Sequence, residues 1–143
     1  MDANRPADQL AAICREYFVA ILYVFGSRSQ EASDLIAGRI EKIPPSSSDL
    51  DVGVLPVAGK HFSLREKVEL GIRLEDFFQV NRVDLVVLPE APPFLASSIV
   101  QGKRLFAQDQ DQADEYDLYI LRRAGDLLPF HRQRIQLILG GSV

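Results

Sequence analysis

The stretch Ser48-Asp49-Leu50-Asp51-Val52-Gly53-Val54-Leu55 places two carboxylates at the mouth of a short apolar run. Leu50 to Leu55 is rich in branched residues and stops at Pro56, which predicts a strand. Side chains at i and i+2 of a strand point to the same side, so Asp49 and Asp51 converge on one point. Two like charges that close repel one another unless a cation lies between them or one takes a proton. The pair therefore predicts a strand end built to hold a cation.

Two other short apolar runs carry matching features. Ala20 to Phe25 reads AILYVF and ends at Gly26-Ser27-Arg28, so a buried strand is followed by a turn. A glycine there lets backbone N–H groups approach a phosphate, the Ser27 hydroxyl adds a hydrogen bond, and Arg28 supplies positive charge. Arg82 to Leu88, RVDLVVL, is the most apolar run of all, which predicts a central strand with Asp84 inside it. A lone ionised carboxylate in such a strand would cost several kcal/mol, and a hard cation such as Mg²⁺ would relieve both this cost and the Asp49–Asp51 repulsion. Taken singly, each feature has a plainer reading. Gly26-Ser27 is also an ordinary turn, Asp49-x-Asp51 an Asx cap plus a solvent-facing residue, and Asp84 an edge-strand residue or the ion-pair partner of Arg82.

The rest of the chain alternates helices with these strands. Pro6 to about Phe18 has Leu10, Ile13, Cys14, Tyr17 and Phe18 at helical spacing. Ser63 to about Val80 opens on a capping box, Ser63 with Glu66, and its stripe of Leu70, Leu74, Phe77 and Phe78 is widened by Leu64, Val68 and Ile72. Pro92-Pro93 opens a helix that ends near Gly102, and Lys103 to Ala107 is a short edge strand. From about Asp111 the chain is helical again, with a break or kink expected at Pro129 and a frayed tail after Leu139. The order predicts one α/β domain over residues 1–143, with helices packed on a small sheet.

Ser27 to Ser48 reads as mostly loop with room for one helical turn, interrupted by an apolar island of Leu35-Ile36 with Ile40 and Ile43, and with prolines at 44 and 45. Both its ends lie at the expected site. The expectation is a mobile flap over the ligand, closed by Leu35, Ile36 and Ile40; a passive insertion is the alternative. Ser33-Asp34-Leu35 imitates the Ser48-Asp49-Leu50 pattern, but Ile36 stands where a second carboxylate would be needed.

Composition narrows the partners. The chain has 143 residues, 47% of them hydrophobic, with 16 basic and 20 acidic side chains and a formal net charge of -4. That balance disfavours generic nucleic-acid binding, which needs a basic face to displace counterions. The single cysteine, Cys14, excludes an internal disulfide and suits a reducing compartment. No run approaches the ~18 apolar residues of a membrane span. A cytoplasmic protein is expected. His61 and His131 lack metal-ligand spacing, Arg122, Arg123, Arg132 and Arg134 make a basic helix face, and Tyr116 and Tyr119 are expected in the core.

Phe25-Gly26-Ser27-Arg28, Ser48-Asp49-Leu50-Asp51-Val52 and Val83-Asp84-Leu85-Val86, in this order, resemble the signature of the polymerase-β-like nucleotidyltransferases. Leu88-Pro89-Glu90-Ala91-Pro92-Pro93-Phe94-Leu95 and Ile99-Val100-Gln101-Gly102-Lys103-Arg104-Leu105-Phe106 resemble, more narrowly, the helix and last strand of the minimal nucleotidyltransferase (MNT) family. The resemblance implies a small mixed β-sheet and a Mg²⁺ site at Asp49, Asp51 and Asp84, with Asp84 also activating an acceptor hydroxyl. It implies nucleotide binding by Gly26, Ser27, Arg28 and Ser48, and ATP as donor. It also implies a protein partner, since many such proteins are antitoxins that act on a HEPN-type toxin, some by adenylylating a tyrosine. The segment from Arg28 to Ser48 is longer than the family's usual spacing, and Glu31 stands where a small residue is usual. Three readings follow: an enzyme acting on a partner protein, an enzyme acting on a small molecule of the aminoglycoside type, and an inactive module that neutralises a partner by contact. A homo-oligomer is compatible with each.

Overall fold

A computed structural model describes the backbone of residues 5–139 and the side chains of residues 5–125. The elements run α1 (Pro6–Glu16), β1 (Val19–Phe25), α2 (Ser29–Ile36), β2 (Leu50–Pro56), α3 (Leu64–Phe78), β3 (Val83–Val87), α4 (Pro93–Val100), β4 (Lys103–Ala107) and α5 (Gln110–Leu139), with a 3-10 turn at Leu88–Glu90. The described strands form one four-stranded sheet in the order β3-β2-β1-β4. β1 is antiparallel to both β2 and β4, whereas β2 and β3 are parallel, so the sheet is mixed.

Strand alternation divides the core in two. Leu22, Val24, Leu50, Val52 and Val54 face α1 and α3, where Leu10, Ile13, Cys14, Leu70, Leu74 and Phe78 are buried with them. Ile21 and Tyr23 face the opposite way, onto Ala96 and Ile99 of α4 and Ala113 and Ile120 of α5. Asp51, Gly53 and Leu55 belong to this second face by the same period of two. Gly53 permits the close approach of α4, because a Cβ there would lie 2.4 Å from Ile99 Cγ2. Tyr23, fully buried, donates its hydroxyl to Asp117 of α5, and Arg104 of β4 reaches Asp117 at 3.0 Å and Asp114 at 2.8 Å. These bonds satisfy a hydroxyl that burial would otherwise strand and fix α5 to the sheet.

Several expectations are met closely. The Ser63–Glu66 capping box is formed in both directions. β4 spans the expected Lys103–Ala107 and lies at an edge. Cys14 is a buried small apolar residue whose thiol burial pushes up to about 12, so it is inert as a nucleophile. No described helix is long and apolar enough to cross a membrane.

Others are corrected. β3 is not central but an edge strand. Its apolarity has another cause: Val83 and Val87 pack on the α1/α3 face while Val86 packs on the α4/α5 face, so helices cover the strand on both sides. Asp84 is consequently exposed rather than buried. Leu64, Val68 and Ile72 do not widen the core stripe of α3; they are 78%, 54% and 51% exposed. Tyr116 packs against the core but Tyr119 is 52% exposed. α5 continues past Pro129 without a break. The tail after Leu139, and the side chains of His131, Arg132 and Arg134, lie outside the described residues.

The largest correction concerns the segment between β1 and β2. Ser29 to Ile36 is an eight-residue helix, not a loop with a single turn. Ala32, Leu35 and Ile36 fall on one helical face and pack into the α1/α3 core. Gly38, at φ +77, ends the helix in the left-handed conformation that glycine adopts without strain. Beyond it Ile40 packs on the core and Ile43 is 1% exposed. The residues expected to close a flap are thus spent on anchoring the segment. Leu35→Ala is expected to destabilise the fold by about 2–4 kcal/mol, measured by urea unfolding. A flap held only by ligand would show no such loss in the free protein.

Candidate active site

Three strand ends meet at one edge of the sheet. Antiparallel pairing brings the end of β1 against the start of β2, with Phe25 opposite Asp51. Parallel pairing then brings the start of β3 alongside, with Asp51 opposite Asp84. Residues in register share a face of the sheet, so Asp51 and Asp84 stand side by side on the α4/α5 face. Asp49 is two residues before Asp51 and lies at the same mouth. Motifs 58 positions apart from Gly26 to Asp84 are in this way assembled by register alone.

Gly26 is shaped by Asp51. Its φ is +76, and a Cβ on it would lie 2.4 Å from Asp51 Oδ2. A side chain at this position would push out the carboxylate and strain the backbone. The turn then enters α2 at Ser29, so Gly26 and Ser27 deliver the chain into a helix N-terminus, where N–H groups and the positive dipole end favour an anion. Ser27 is exposed at that mouth.

Arg28 is placed otherwise than the phosphate-facing role expected of it. It is 4% exposed. Its guanidinium donates to the carbonyl oxygens of Pro44 and, at 3.2 Å, Ser48, and lies 3.6 Å from Glu31 Oε2. Charge-assisted bonds to two carbonyls tie the end of the long segment down beside β1. Ser48 meets this bond with its carbonyl, while its N–H donates to Ser46 Oγ at 3.1 Å. Asp34, the imitation of the motif, sits on α2 and accepts from Arg39 at 2.8 Å and Gln30 at 2.9 Å, and the Arg39 bond holds its carboxyl below the usual range. His61 is exposed.

The electrostatics of the mouth are those of crowded like charge. The Asp51 carboxyl is pushed above the ordinary carboxylate range, first by burial and then by the charges of Asp84 and Asp49. Arg82 Nε lies 3.7 Å from Asp49 Oδ2, so the arginine adjoins the first carboxylate rather than Asp84. Sequence reasoning named Arg82 only as a partner for Asp84. Its true partner follows from the parallel register, which sets residue 82 beside residue 49. Among the described residues, no three carboxylate, histidine or cysteine groups are close enough to form a finished metal cage. Hard oxygen donors on an open edge still suit Mg²⁺, which uses one or two carboxylates and leaves positions for water and phosphate.

Because Asp51 titrates higher in the fold than in the unfolded chain, the folded state binds more protons between the two values and its stability falls as pH rises through that window. Asp51→Asn removes the penalty. It is expected to raise the melting temperature of the metal-free protein by about 1–3 °C at pH 7, with no gain below the ordinary carboxylate range. Gly26→Ala is expected to lower stability by about 1–2 kcal/mol through its left-handed backbone alone. Thermal and urea unfolding measure both.

Solved structures share this fold. A chain of a toxin–antitoxin complex with AMP-PNP is 21% identical, with a TM-score of 0.66 over 93% of this chain and 98% of that one. A chain of the tri-AMPylated Shewanella oneidensis HEPN toxin in complex with MNT antitoxin is 19% identical, with a TM-score of 0.64 over 94% and 96%. A chain of the toxin–antitoxin MntA–HepT is 18% identical, with a TM-score of 0.64 over 94% and 97%. No curated protein is a significant match. The family model "Polymerase beta, Nucleotidyltransferase" matches residues 8–111, from α1 through Gly26, the three carboxylates and β4, and the chain belongs to that nucleotidyltransferase family.

Proposed function

We propose that this nucleotidyltransferase moves a nucleoside monophosphate, AMP from ATP, onto a hydroxyl of a partner protein and in doing so acts as the antitoxin to a HEPN-type toxin. The observation that carries the chemistry is the register that sets Asp49, Asp51 and Asp84 at one mouth beside the Gly26-Ser27 turn. The partner reading is supported by the solved complexes of the same fold, in one of which the HEPN toxin is AMPylated.

Mg²⁺, when bound, would neutralise the triphosphate and stabilise charge on the attacking and leaving oxygens. Asp49 and Asp51 would hold it. Gly26 and Ser27 would bind the terminal phosphates through backbone N–H groups and the hydroxyl. Asp84, exposed and next to Asp51, would take the proton from the acceptor hydroxyl. The new bond joins that oxygen to the α-phosphorus, the bond from the α-phosphorus to the bridging oxygen breaks, and pyrophosphate leaves. The open face at Asp84 suits an acceptor presented on another protein.

One observation favours a second reading. With Arg28 turned inward, the turn lacks the cation expected on its phosphate side, as in a module that neutralises its partner by contact alone. Calorimetry separates the two. Asp49→Asn and Asp51→Asn are each expected to weaken Mg²⁺–ATP binding at least tenfold with the fold retained, whereas no binding by the wild type at millimolar ligand leaves only the contact reading. Co-expression with the gene product encoded beside it, followed by intact mass, is expected to show that product heavier by one or more AMP units. Tight, salt-sensitive binding to a generic tRNA would instead point to a nucleic-acid acceptor.

A further inference from the structure

Parallel register sets more than the three carboxylates. Leu50 pairs with Val83 and Asp51 with Asp84, and Leu50 N–H donates to the Arg82 carbonyl at 3.0 Å. One step outward along the same ladder, Asp49 lies across from Arg82. Asp49 and Asp51 are i and i+2 on one strand, and Arg82 and Asp84 are i and i+2 on the other. The mouth is therefore a square with carboxylates at three corners and a guanidinium at the fourth. The 3.7 Å contact between Arg82 Nε and Asp49 Oδ2 closes one side of it.

The exposure of the Arg82 side chain argues against a structural role for it. Its side chain is 76% exposed and Asp49 is 42% exposed, so the pair is solvated and weakly held. A cation bound at Asp49 would meet the guanidinium as a like charge and drive it off. A triphosphate arriving at the same mouth offers several anionic oxygens that the guanidinium fork can also bind in pairs, and it carries more negative charge than a carboxylate already neutralised by a cation. We infer that Arg82 is a substrate-positioning residue, which neutralises Asp49 in the free protein and passes to a phosphate oxygen of the nucleoside triphosphate when the site fills. The inference rests on the function proposed above. It also supplies the exposed cation that Arg28 does not.

The test is binding, read by calorimetry with Mg²⁺ plus the non-hydrolysable imido analogue of ATP, and by the resonance of free Mn²⁺ with the metal alone. Arg82→Gln is expected to weaken analogue binding about tenfold and to leave Mn²⁺ binding equal or a few-fold tighter, since a positive neighbour is gone. Arg82→Lys should recover part of the analogue affinity. Arg65→Gln, the same charge change at the 88% exposed start of α3, should change neither. Analogue affinity equal to wild type in Arg82→Gln overturns the inference while leaving the proposed function standing. So does a parallel loss of metal and analogue, which would make Arg82 a prop for Asp49. A wild type that binds neither Mn²⁺ nor the analogue overturns both readings together. Thermal unfolding of each variant, expected within a degree or two of wild type, excludes loss of fold as the cause.

Discussion

Asp51 is the middle of a row. Phe25 of β1 pairs with it on one side and Asp84 of β3 on the other, so the position of every group at the mouth is referred to this residue. A strand slipped by one residue sends each side chain to the opposite face. In β2 that slip would put Leu50, Val52 and Val54 on the wrong face and break the α1/α3 core, so burial of these three residues locks the carboxylates in place. The hydrophobic core and the polar site are two readings of one register. What the site costs is visible in the same residue: Asp51 is partly buried by this frame and carried into the field of two like charges, and it titrates high first through the burial and then through the charges.

Gly26 and Arg28 are neighbours in sequence and do opposite work. Gly26 removes a side chain so that the Asp51 carboxylate can sit against the turn. Arg28 buries a charge so that the far end of the long segment is tied to the same turn. A buried guanidinium without partners would be strongly unfavourable, and the carbonyls of Pro44 and Ser48 with the nearby Glu31 supply them. The long connection is thereby fastened three times: by Leu35 and Ile36 in the core, by Ile43 beneath it, and by Arg28 at the mouth. Its extra length does not loosen the turn.

The strands themselves were legible in the sequence because each is short and sharply bounded. The three carboxylates and the glycine turn were legible for the same reason, since each adjoins a strand end. β3 was misplaced because apolarity records how many faces are covered, not whether a strand has two neighbours; Val86 is apolar on account of the second helical layer. α2 was hidden by the prolines and serines that follow it, although Ala32, Leu35, Ile36 and Gly38 hold its period and its stop. Arg28 was read as a phosphate ligand because exposure is a tertiary property. Nothing local says that an arginine after a glycine turn will face inward. Arg82 was readable only once parallel pairing of β2 with β3 was known.

The net charge of the chain and the charge of its site set the order of events. A protein at -4 with three carboxylates at one mouth repels a bare triphosphate. Positive charge must reach the carboxylates before or together with the nucleotide. The N-terminus of α2 offers only a partial charge, Arg28 is occupied inside the fold, and Arg82 is a single charge already beside Asp49. A metal–nucleotide complex, as in the proposed function, would resolve the difficulty, since its cation would be drawn to the carboxylates that repel its phosphates. Asp51 would then change sign as a contributor. In the proposed function the charge that weakens the empty fold would become the charge that holds the ligand, and stability lost to burial and like charge in the free protein would reappear as affinity. A site filled permanently would have no need of this arrangement. One that must, as proposed, bind, react and release pyrophosphate would gain from a resting state in which its carboxylates are only loosely compensated.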